Sequence, residues 1–153
     1  MQITEILARN ARMYAHEVAL VERDPEVGRR REMTWCDFNQ QSSQFANALL
    51  DVGIKRGATV TLLLMNCIEW LPAYFGVLRA GAVAVPLNFR FGPETLLYCC
   101  QLTQSPVMLF GPEFIERIET IKADLDAQIS HYVYLGPESG CPDFAIFYED
   151  FVL

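Results

Sequence analysis

The sequence points to an α/β fold: a doubly wound, mostly parallel sheet flanked by helices, with a small β-hairpin at its N-terminal end. Three features carry this reading. Residues 58–65, 82–87, 107–110 and 132–135 are short, nearly unbroken apolar runs, as expected of strands buried on both faces. Between them lie segments whose apolar residues recur at helical spacing. Gly or Gly-Pro punctuates the switches, at Gly53, Gly81, Gly92-Pro93 and Gly111-Pro112. Such alternation implies βαβ units with right-handed crossovers and helices on both faces of the sheet.

Each element has its own justification. Thr4 opens a short helix with Ile6, Leu7 and Met13 as its apolar contacts. Residues 18–21 form a β-branched-rich strand, residues 24–28 a Pro/Gly turn and residues 33–35 a returning strand. Thr34, three residues before Asp37, caps the next helix, whose inner face is Phe38, Phe45, Leu49 and Val52. Gly53 ends it where a left-handed residue is needed.

After the first buried strand, Asn66 is placed to cap a helix, with Glu69 reaching back and Ile68, Leu71, Phe75 and Leu78 facing inward. Pro72 should kink that helix or delay its start. Gly81 turns the chain into a second buried strand, which Pro86 stops. The next helix carries Leu96, Leu97 and Cys100, and the last carries Ile115, Ile118, Ile121 and Leu125. Residues 136–153 read as turn-rich, with Phe147 and Phe151 around an acidic segment.

Composition narrows the function classes. At 153 residues the chain reads as a single domain, 1–153. Its 52% hydrophobic content fits a folded core, and a mean hydropathy of +0.16 fits a piece partly covered by more protein. A net charge of −7 argues against a nucleic-acid partner, and Arg29-Arg30-Arg31 reads as a solvated loop. Five cysteines without a CxxC suggest neither zinc nor disulfides and point to a reducing, cytoplasmic setting. The longest apolar region, 71–89, is interrupted by Pro72, Arg79, Gly81 and Pro86, so no membrane span is expected.

Stock catalytic patterns are missing from these residues. There is no GxGxxG, no Gly-rich loop ending in Lys-Ser or Lys-Thr, and no GxSxG. A small flavodoxin-like or nucleotide-binding domain would need a phosphate turn after the first buried strand, yet Met65-Asn66-Cys67 holds no glycine. His131 reads as an exposed strand-edge residue, Asp124 and Asp126 as solvated charges, and Cys99-Cys100 as a packing pair. Arg90 follows the second buried strand near its carboxyl end, where open α/β sheets collect ligands. Its position allows a surface pair with Glu94, a cap on a neighbouring element, or a bidentate contact to an anion.

Three blocks together resemble the N-terminal subdomain of the adenylate-forming (AMP-dependent synthetase and ligase) superfamily. They are Met33-Thr34-Trp35-Cys36-Asp37-Phe38, the strand and following helix from Gly57 through Val60 and Leu64 to Asn66 and Glu69, and Leu78 to Asn88 continued by Arg90 and Glu94. Asn88 after Pro86-Leu87 is more similar to acyl-CoA synthetases than to peptide-synthetase adenylation domains.

The resemblance implies a two-step reaction. A carboxylic or fatty acid is activated with Mg-ATP to an acyl-adenylate, and CoA then displaces AMP. ATP, Mg and CoA are the cofactors implied for the whole enzyme, and Arg90 is implied near a CoA phosphate. The family's Ser/Thr/Gly-rich loop followed by Lys, its later acidic residues and its C-terminal Lys do not occur here. The expectation is therefore an N-terminal part of an acid-CoA ligase, inactive alone, partnered by the rest of the ligase or self-associating through an exposed apolar face. A free-standing, non-catalytic module acting through protein partners is the alternative.

Overall fold

A computed structural model describes residues 2–153. Helix α1 (Ile3–Met13) leads into an antiparallel hairpin, β1 (Val18–Asp24) and β2 (Arg29–Thr34). The remaining strands are β3 (Thr59–Leu63), β4 (Val83–Pro86), β5 (Val107–Phe110), β6 (His131–Tyr134) and β7 (Ile146–Phe147). They form one parallel sheet in the order β4-β3-β5-β6-β7. Helices α2 (Trp35–Asp51), α3 (Trp70–Arg79), α4 (Pro93–Thr103), α5 (Ile115–Leu125) and α6 (Tyr148–Phe151) complete the fold.

Side chains alternate across the sheet with the period of two that a strand imposes. On one face Val60, Leu62, Val107, Leu109 and Val133 pack with Phe45 and Leu49 of α2 and Ala73 and Val77 of α3. On the other, Leu63, Met108, Phe110, Tyr132 and Tyr134 pack with Leu96 and Cys100 of α4 and Ile118, Ile121 and Leu125 of α5. The doubly wound arrangement thus comes from burying both faces of β3, β5 and β6.

Two helix ends share one mechanism. After α2, Gly53 takes φ +86°, its N–H reaches Leu50 O and the Ile54 N–H reaches Leu49 O. After α3, Gly81 takes φ +77°, its N–H reaches Leu78 O and the Ala82 N–H reaches Val77 O. Both are Schellman closures, and in each the residue after glycine is buried near the helix it ends. Thr34 caps α2 as its sequence requires, its Oγ1 accepting the Asp37 N–H at 3.1 Å. Between α2 and α3 the backbones approach so closely that a Cβ on Gly76 would lie 2.9 Å from Ser42 O. Arg79 ties the same helices, donating to Asn39 O, Asn39 Oδ1 and Ser43 Oγ.

Several expectations need correction. Ile6 and Met13 are exposed, and only Leu7 of α1 is buried. Asn66 does not cap α3. The helix starts at Trp70 with Glu69 at its N-cap, so Pro72 falls in the first turn, where no helical hydrogen bond is lost. Leu71 consequently faces out. The strand after Gly81 is not buried on both faces. β4 is the edge of the sheet, with Val83 exposed and Ala84 and Val85 half-buried.

Pro86 suits that edge. The Val83 and Leu87 N–H groups point at β3, bonding Ala58 O and Leu62 O, so Ala84 and Pro86 face outward and Pro86 offers no donor. The tail is more structured than its turn-rich sequence suggests. β7 adds a fifth strand, and Tyr148 and Phe151 place their rings 5.9 Å from Phe45. Asp126 is an exposed charge, as expected, and it also accepts from Lys122 Nζ and from the Tyr132 hydroxyl at 2.8 Å.

Candidate functional site

The strand order reverses between β3 and β5: the chain winds outward to β4 on one side, then to β5, β6 and β7 on the other. In open α/β sheets, ligands bind at the carboxyl ends of strands beside such a switch point. A cleft of about 400 Å³ lies there, lined by Leu64–Cys67 and Glu69 after β3, Gly111-Pro112-Glu113 after β5 and Gly136-Pro137 after β6. Glu22, Arg29 and Arg31 of the hairpin form another wall, and Glu149 of α6 also faces it.

The hairpin wall is held by charge. The Glu22 carboxylate accepts the Ile68 N–H at 2.7 Å and lies 3.4 Å from both Arg29 and Arg31. Arg31 also pairs with Glu69, a contact across 38 residues of sequence. That pairing raises the Arg31 pKa, so it stays charged throughout the working range. The arginine run is therefore part of a strand and an ion-pair network, not a solvated loop. Cys67, beside it, has its thiol pushed up to about 12 by burial and by the Glu69 charge, so it is neutral near pH 7 and no nucleophile.

Four carboxylates line the cleft, and both of its arginines are ion-paired to carboxylates. Among the described residues, no group of three or more His, Cys, Asp or Glu is placed to hold a metal ion. The described residues do not fit a metal–triphosphate group here: none of them offers the cleft an unpaired cation to neutralise it, and the carboxylates repel it.

Arg90 lies elsewhere, on the loop that follows β4, and does not line the cleft. It does not pair with Glu94. Its backbone N–H donates to Asn88 Oδ1 at 2.9 Å, and its guanidinium lies over the exposed Phe89 ring, 5.4 Å from the centroid. Among the described residues it has no ion pair, so an exposed cation on an aromatic plate is open to an anion. One residue that sequence reading missed braces this loop. Arg117 of α5 donates to Phe89 O at 2.5 Å and Phe91 O at 3.3 Å. Nothing local to residue 117 signals that contact.

His131 is half-buried as the first residue of β6 and lines a small hollow at the opposite end of the sheet with Val52 and Lys55. Cys100 is buried against α4's core face, with its thiol pushed up to about 11 by burial; Cys99 is half-buried. Exposed large apolar side chains fall on α1, on the hairpin (Val18, Val21), at the β4 edge (Val83, Phe89) and on the outer side of α4 (Tyr98, Leu102). Among the described residues no helix is long and apolar enough to cross a membrane.

The fold and cleft define a doubly wound α/β protein that offers ligand surface at its strand carboxyl ends. A family model described as AMP-binding enzyme matches residues 7–142, and the chain belongs to that family. It is 28% identical over 133 residues to the crotonobetaine/carnitine–CoA ligases of Citrobacter koseri and Salmonella typhi, covering 87% of this chain and 26% of each relative.

Among solved structures it superposes on an anthranilate CoA ligase bound to anthranoyl-AMP with a TM-score of 0.83. There the identity is 29%, over 97% of this chain and 26% of the ligase. The N-terminal domain of a protein named FACL13 from Mycobacterium tuberculosis gives a TM-score of 0.78 at 27% identity, over 87% of this chain and 33% of that one. The chain thus spans about a quarter of the length of the curated relatives it matches.

Proposed function

We propose that residues 1–153 act as one domain, the N-terminal part of an AMP-forming acid-CoA ligase of the cytoplasm. The observation that supports this is the family match across residues 7–142, against relatives named as CoA ligases of which it covers 26%. ATP and Mg would supply adenylyl transfer to a carboxylic acid, and CoA the thiol that takes up the acyl group. This chain would contribute scaffold, one wall of the site and the Arg90 loop. Arg90 would pair its guanidinium with a phosphate of CoA, helped by its lack of a carboxylate partner and by its stacking on Phe89. The remainder of the ligase would supply the groups that neutralise the triphosphate, and the exposed β4 edge is the surface we assign to that partner.

The purified 153-residue chain, incubated with ATP, Mg and a panel of aliphatic and aromatic acids, should release no pyrophosphate. Measurable release would show that the chain activates acids unaided and would overturn the proposal. In a ligase containing this chain, Arg90→Ala should raise KM for CoA by about tenfold, the scale of one lost charge-assisted contact, and leave ATP–pyrophosphate exchange unchanged.

A further inference from the structure

We infer that Arg117 is a positioning residue for Arg90, holding the loop that presents it so that its guanidinium meets an anion without first being ordered. The inference rests on the reading of Arg90 just given. Residues 87–92 leave the edge of the sheet, and among the described residues no strand lies on their outer side. Asn88 organises the loop from within, its Oδ1 accepting the Arg90 N–H and its backbone O accepting the Phe91 N–H. The loop's two ends are anchored, by the Leu87 N–H on Leu62 O and by the Leu87 and Phe91 side chains packed on the core, but Asn88, Phe89 and Arg90 between them are exposed.

Arg117 ties this exposed stretch to α5. One guanidinium nitrogen, Nη1, bonds the carbonyls of Phe89 and Phe91, which flank Arg90 on either side. The guanidinium also lies over the ring of the fully buried Phe114, 5.3 Å from its centroid, which fixes its plane. Among the described residues Arg117 has no carboxylate partner, although Glu113 and Glu116 are near it in sequence. Its donors go to backbone acceptors, the arrangement expected of a brace. The two arginines thus divide the work. Arg117 is half-buried and committed to main chain, and Arg90 is exposed and uncommitted. A cation held in place before its ligand arrives loses less freedom on binding.

The test uses two readouts. In the 153-residue chain, Arg117→Ala should speed amide hydrogen exchange across residues 88–92 by about tenfold or more, while exchange in β3, β5 and β6 stays slow. In a ligase containing this chain, Arg117→Ala should raise KM for CoA about as much as Arg90→Ala, with ATP–pyrophosphate exchange unchanged. The Arg90→Ala/Arg117→Ala double variant should be no worse than either alone, because both act through one contact. Arg117→Lys keeps a cation that can reach a carbonyl and should restore much of the CoA affinity. If Arg90→Ala raises KM and Arg117→Ala does not, the brace is refuted and the role of Arg90 stands. If neither variant changes KM while the loop still loosens, the reading of Arg90 fails and the mechanical tie survives. Unchanged exchange in Arg117→Ala overturns the inference outright.

Discussion

The cleft beneath the hairpin and the loop after β4 both lie at strand carboxyl ends, and both carry arginines, yet they treat charge in opposite ways. In the cleft, Arg31 and Arg29 face Glu22 and Glu69, and the carboxylates hold the hairpin to the β3–α3 turn. In the β4 loop, Arg90 has an aromatic plate and no carboxylate, while a second arginine braces the main chain around it. Counting cations in the sequence favours the first region; counting uncommitted cations favours the second. A paired guanidinium is structural glue, and an unpaired one on a braced loop is available to a ligand.

The largest effect expected from breaking this contrast lies at Glu22. Its carboxylate holds a backbone N–H and two arginines, so Glu22→Ala should cost about 1–2 kcal/mol, read as a lower urea midpoint at constant m-value. A loss below a few tenths would mean that the hairpin wall does not depend on this latch. Glu69→Gln removes one charge from the network and should cost about 0.5–1 kcal/mol, a difference that shrinks in about 1 M salt because the pair is partly exposed.

At the low end, Arg29→Ala and Arg90→Ala should each stay within about 0.5 kcal/mol of the parent protein in the same assay. A large loss for Arg90→Ala would place it with the structural arginines and erase the contrast. Titration adds a sign. The Cys67 and Cys100 thiols are raised from about 9 to about 12 and about 11 by burial. Their stabilising contribution is complete below pH 9 and declines as pH rises from there towards the folded values, because only the unfolded chain then releases these protons. Cys67→Ala should flatten that alkaline decline.

Much of the fold is legible from residues 36–135, because burial on both faces writes itself as apolar runs and helix ends write themselves as glycines. The Gly53 and Gly81 closures needed only neighbours in the chain. The site is less legible. The partner of Arg31 is 38 residues away, and that of the Arg90 loop, Arg117, is separated from Phe89 by 28. Neither separation leaves a periodic trace. Residues 82–87 show the limit from the other side: an apolar run marks a strand but not its neighbours, and β4 is an edge because no further strand among the described residues pairs with it. The tail is illegible for a related reason. A two-residue strand is too short for a period, and only pairing with Val133 and Tyr134 makes β7 a strand.

By itself, then, the sequence determined what depends on near neighbours: the alternation of helix and strand, the Thr34 cap, the two glycine closures and the family motifs that lie along one stretch of chain. Tertiary structure alone decided which strand became the edge, which arginines found carboxylates and that Arg90 did not. Those outcomes rest on contacts between residues distant in sequence. A local pattern can supply a charge or an apolar face, but only the packed fold determines whether another group is there to meet it.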